Sequence, residues 1–128
     1  MNPQSLLAVA LGGALGSVAR YAVSAVFSKW FGLAFPWGTL FINIAGSFAI
    51  GVFAESFALQ FYASQAVRAF LVIGICGGFT TFSAFSLDVA TLLARGEMAY
   101  AAAYIVGSTA LSILALYAGL AVVRTILS

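Results

Sequence analysis

The chain has 128 residues, 64% hydrophobic and 6% charged, with a mean hydropathy of +1.15. A soluble domain could not wet so apolar a surface, so the composition points to an all-α membrane protein, with about four stretches long enough to cross a bilayer. Histidine is absent and Cys76 is the only cysteine, which excludes histidine relays, thiolate metal clusters and an intrachain disulfide; a net charge of +2 excludes a nucleic-acid footprint.

Hydropathy places the spans near residues 4–27, 37–59, 66–94 and 98–125, joined by short connections. The expectation is a single four-helix transmembrane domain over residues 1–128, its first span retained, since no basic segment precedes it as in a cleaved signal. If the helices alternate in direction, Arg68 and Arg124 share the N-terminal side while Lys29 and Arg95 lie opposite. Two cations against two give almost no orientational bias, and such a chain is able to insert both ways.

The first span carries "GGALGSVARYAVS", where Gly12 and Gly16 form the GxxxG step that lets helix backbones approach closely in lipid. Arg20, near the end of this span, reads on residue type alone as a cation snorkelling to the interface or capping the helix. The second span opens "FPWGTLFINIAGSFAIG", with Pro36 at or just before the first turn. Thr39, Asn43 and Ser47 then recur every four residues on one face, a spacing that suits interhelical hydrogen bonding and pore lining equally.

The third span is the anomalous one, because "GICGGFTTFSAFS" places Gly74, Gly77 and Gly78 before Thr80 and Thr81. Each glycine costs a helix about 1 kcal/mol against alanine, and the branched threonines follow at once, so a break is expected here. Backbone freed at membrane depth needs protein, water or an ion to satisfy it, so the break implies a cavity, a cation or both. Phe82 and Phe85, three apart, share a face; as isolated residues they read as core or lipid-facing, although their positive ring edges would suit a small anion.

In the fourth span "YIVGSTALS" sets Tyr104, Ser108 and Ser112 at the same four-residue spacing. Two polar stripes on two helices point to a common hydrated path. The acids are Glu55, Asp88 and Glu97, none placed by hydropathy at a bilayer centre, where a proton-coupled carrier wants a carboxylate. No nucleophile has an evident base and no phosphate-binding loop is present, so the chain does not read as an enzyme.

"GGFTTFSAFS", "WGTLFINIAGS" and "GGALGSVARY" together resemble the Fluc family of fluoride channels, also called CrcB proteins, over essentially the whole chain. The resemblance implies an antiparallel, dual-topology homodimer in the bacterial inner membrane, exporting fluoride passively through two pores around a central structural sodium ion. It implies that Phe82 and Phe85 turn ring edges toward fluoride, and that Asn43, Tyr104, Ser108 and Ser112 donate along the path. Thr39 and Ser83 join that track, Arg20 takes the place of an arginine near the pore mouth, and Gly77 and Thr80 supply backbone carbonyls from both subunits to sodium. Two departures stand out: Ala84 occupies a position usually threonine, and Asp88 one that is often glutamate.

A small dual-topology drug or cation transporter also has about four spans, but it needs a carboxylate in its first span, where this chain has Arg20. A non-transporting assembly subunit would explain the GxxxG step and leave the stripes and the break without a purpose.

Overall fold

The computed structural model describes residues 2–59 and 62–128, and among these residues four helical spans are long and apolar enough to cross a membrane. Helix α1 runs Pro3–Phe31. The Asn2 side chain caps it by accepting from the Gln4 N–H at 2.8 Å, Pro3 sits in its first turn, and Gly32 ends it at φ 77°, where a side chain would be strained. These caps carry the helix beyond the interval expected from hydropathy at both ends. Helix α2, Trp37–Leu59, follows Pro36, whose carbonyl accepts from the Leu40 N–H at 3.2 Å.

The third span, Gln65–Ala94, is built in pieces. A first turn, α3 (Gln65–Arg68), is capped by the Ser64 hydroxyl and passes into a π-helical stretch, Ala69–Cys76, then into a short α4, Gly77–Phe79. Thr80 and Thr81 are extended, at φ/ψ −80°/158° and −156°/123°, and α5 (Phe82–Ala94) begins immediately after them. The break therefore falls on the threonines, while Gly77 keeps helical angles of −64°/−37°. A turn through Gly96 at φ 75° leads into α6, Met98–Leu127.

The glycines before the break serve packing. A Cβ on Gly74 would stand 2.8 Å from the Gly12 Cα, and one on Gly78 would stand 2.7 Å from the Gly13 carbonyl oxygen, so this segment and α1 touch backbone to backbone. That settles the partner of the GxxxG step: it is the third span of the same chain. Helices α2 and α6 form a second close seam, in which Gly51 abuts the Leu116 carbonyl and Gly119 the Phe48 carbonyl.

Helix α5 closes on α6 through a small core of Leu92, Ala101 and Tyr104, flanked by Phe35, Leu40, Phe85 and Val89. At one end of the bundle Arg124 Nε pairs with Glu55 Oε2 at 2.6 Å and Arg68 lies over the Phe57 ring at 5.4 Å. At the other end Arg95 donates to the Leu33 carbonyl at 3.0 Å, close to Lys29 in the last turn of α1. Two cations thus lie at each end, and the fifth, Arg20, stands between them.

Candidate functional site

In an unbroken helix the Thr81 N–H would bond the Gly77 carbonyl and the Ala84 N–H would bond that of Thr80. Here both donors are diverted. Thr81 N–H goes to Asn43 Oδ1 at 2.8 Å, and Ala84 N–H to Thr81 Oγ1 at 3.0 Å. The Asn43 amide returns a bond from Nδ2 to the Thr81 carbonyl at 3.0 Å, so α2 grips the backbone of a single residue in both directions. From the other side Arg20 Nε donates to the Gly78 carbonyl at 3.1 Å. Thr80 folds back, its N–H and hydroxyl both bonding the Cys76 carbonyl at 2.9 Å.

The carbonyls of Gly77 and Thr80 are thus among those at the break that have lost their helical donors. Neutral carbonyl oxygens of this kind suit a hard monovalent cation. Gly77 is exposed, and a Cβ there would meet only the Val72 carbonyl, at 3.7 Å, so open space adjoins this part of the break.

Beside the break lies a groove of about 320 Å³ lined by Asn43, Ser47, Phe82, Phe85, Ser108 and Ser112, among others. The hydroxyls of Ser108 and Ser112 are buried and, among the described residues, have no hydrogen-bond partner; Ser108 is only 5% exposed. An unpaired hydroxyl at such a depth costs about 1–3 kcal/mol, so these groups are poised for something that enters the groove. The Asn43 amide has spent one of its two N–H donors on Thr81 and keeps the other. The rings of Phe82 and Phe85 lie 5.5 Å apart, tilted by 45°.

The two polar stripes divide between this groove and its neighbour. Asn43 and Ser47 on α2 meet Ser108 and Ser112 on α6, whereas Thr39 faces a second cavity of about 340 Å³ that it lines with Ser24, Ser28, Asp88, Thr91 and Arg95. Tyr104 stands at the junction, fully buried, its ring 5.0 Å from that of Phe85 and its hydroxyl donating to Asp88 Oδ2 at 2.8 Å with Thr39 as a further partner. Ser83 is exposed, off the groove, within 3.3 Å of the Thr81 hydroxyl. Arg20 also stands apart from the groove, at the break.

Sequence spacing alone did not disclose the grip of Asn43 on Thr81 or the pairing of Tyr104 with Asp88. Both join residues on different helices, and only the unusual conjunction of a mid-span amide with a broken helix signals the first.

The chain matches the family model described as CrcB-like protein, Camphor Resistance (CrcB), over residues 7–120. It is 63% identical over 121 residues to the fluoride-specific ion channel FluC of Nitrobacter winogradskyi, an alignment covering 94% of this chain and 96% of that one. It is 52% identical over 120 residues to the FluC of Rhodospirillum centenum, covering 94% and 95% of the two chains. With the FluC of Rhizobium meliloti it shares 53% identity over 119 residues, covering 93% and 95%.

Proposed function

The chain belongs to the CrcB family of fluoride channels, multi-pass inner-membrane transport proteins rather than enzymes, and on that premise we propose that it exports fluoride by passive electrodiffusion. The observation that carries this reading is the pair of unpartnered buried hydroxyls, Ser108 and Ser112, in a groove shared with Asn43 and edged by Phe82 and Phe85.

Fluoride is small and holds its water tightly, so a path for it must supply several donors at close range. Neutral hydroxyl, amide and ring-edge groups meet that need without the depth of binding that a full positive charge would give, and successive weak sites allow release as well as access. Tyr104 and Thr39 extend the donors toward the cavity that holds Asp88 and Arg95. The shorter Asp88 side chain reaches the Tyr104 hydroxyl, and Ala84 leaves one fewer hydroxyl beside the rings.

The same reading assigns the Gly77 and Thr80 carbonyls to a structural sodium ion, completed by the same two oxygens from a second copy in inverted orientation. Bound there, the ion would neutralise backbone dipoles in a place without water. The even split of cations supports insertion in both orientations, and two inverted copies would present two grooves.

Purified protein reconstituted in liposomes tests the reading directly. Fluoride efflux should exceed chloride efflux by orders of magnitude and persist after the proton gradient is collapsed. Equal chloride flux, or fluoride flux that stops with the gradient, would overturn it.

A further inference from the structure

We infer that Arg20 and Asn43 are positioning residues that decide which backbone oxygens of the break stay open. A helix that stops leaves its last carbonyls without donors, and nothing in the stop itself selects which of them find new ones. In this chain the selection is made by two side chains from two other parts of the fold. Arg20 on α1 withdraws the Gly78 carbonyl through Nε at 3.1 Å. Asn43 on α2 holds the Thr81 N–H at 2.8 Å, the donor that a continuous helix would give to the Gly77 carbonyl.

The Asn43 amide is fixed in one orientation by this arrangement, because its oxygen must accept from Thr81 N–H while its nitrogen donates to Thr81 O. A flipped amide would set donor against donor and acceptor against acceptor. The bonded oxygen also polarises the amide, which strengthens its remaining N–H as a donor into the groove. Arg20 is suited to its place because a guanidinium gives a charge-assisted bond to a carbonyl at a helix C-terminus. Its role is thus at the backbone of the break, one step removed from the anion groove.

The inference builds on the cation reading for its consequence, but the hydrogen bonds can be observed by themselves. Gly78–Phe79 is the only Gly–Phe step in the sequence, so carbonyl-¹³C glycine with ¹⁵N phenylalanine isolates the Gly78 carbonyl by magnetic resonance in lipid. Doubly labelled glycine reports two Gly–Gly steps, Gly12–Gly13 and Gly77–Gly78, the first serving as a reference for intact α1 packing.

Arg20→Met should move the Gly78 carbonyl resonance upfield, as for a lost hydrogen bond, and leave that of Gly77 in place. Asn43→Ala should move the Gly77 carbonyl downfield as Thr81 N–H returns to it, with Gly12 unchanged. Arg20→Leu and Asn43→Leu carry the same expectations and serve if the first pair does not fold. An unmoved Gly78 carbonyl in the arginine variants, or an unmoved Gly77 carbonyl in the asparagine variants, overturns the inference. Exchanging sodium for choline on the wild-type sample is a separate arm: a Gly77 carbonyl indifferent to sodium defeats the cation reading, while the variants alone judge the positioning roles.

Discussion

The two halves of the third span meet their surroundings in opposite ways. Before the break, Ala69, Gly74 and Cys76 are buried, and the glycines press against the backbone of α1. After it, Leu92 is the buried residue of α5, while Phe82 is 78% exposed and Leu87 68%. The Gly74 and Gly78 face of the first half is bounded by its own chain, so tolerance there is set by sterics within one subunit. The second half leaves a large apolar face open, which in a membrane is covered by lipid or by another copy. The contrast places structural constraint before the threonines and the proposed transport function after them.

The largest effect should follow from violating the close seam. Gly74→Val drives a side chain into the α1 backbone, which cannot move aside, so the cost should exceed the about 1–3 kcal/mol of ordinary overpacking. Folded protein should be lost, as read by detergent elution. Gly77→Ala, with room for its methyl group, should elute as the wild type does. Equal tolerance at the two glycines would break the comparison.

Beyond the break the expectation reverses. Phe82→Ile should cut fluoride flux by about tenfold or more, equivalent to about 1.4 kcal/mol on the barrier, with little change in thermal stability because the ring is exposed. Phe85→Ile should lose flux similarly and also destabilise the protein, since its ring packs on Tyr104 at 5.0 Å. Stability and flux measured together on the pair would sharpen which ring serves only the path.

Ser108→Ala and Ser112→Ala should reduce flux severalfold while leaving thermal stability unchanged or raised by up to about 1 kcal/mol, because each removes a hydroxyl that has no partner among the described residues. A fall in stability would mean that these hydroxyls are structural after all. The smallest effect on flux belongs to Arg124→Gln at the end of the bundle. The Arg124 side chain is 64% exposed, so water and salt weaken the pair, but that of Glu55 is 9% exposed and loses its partner; stability should fall by about 1–3 kcal/mol with flux intact.

Much of this was legible in the sequence, and for identifiable reasons. Hydropathy located the four spans because lipid imposes length and composition on each one separately, and the caps at Asn2 and Gly32 then extended α1 past the hydropathic interval. The break was legible because glycines followed by threonines weaken a helix locally, yet its position was not: the glycines turned out to be packed against α1 and the extended residues are Thr80 and Thr81. The four-residue stripes placed Asn43, Ser47, Ser108 and Ser112 together, since helical spacing fixes a common face. It could not show that Thr39 and Tyr104, at the stripe ends, turn to a second cavity and to Asp88, nor that Arg20 crosses to Gly78, because those contacts depend on how separate helices are set against one another.

The proposed function requires a second copy in inverted orientation to complete the cation site at the break. Adding lysines to the N-terminal tail should force one orientation, and an oppositely biased variant should take the other. Each variant alone should give no fluoride flux, and co-expression of the two should restore it. Full flux from one uniformly oriented variant would contradict the account.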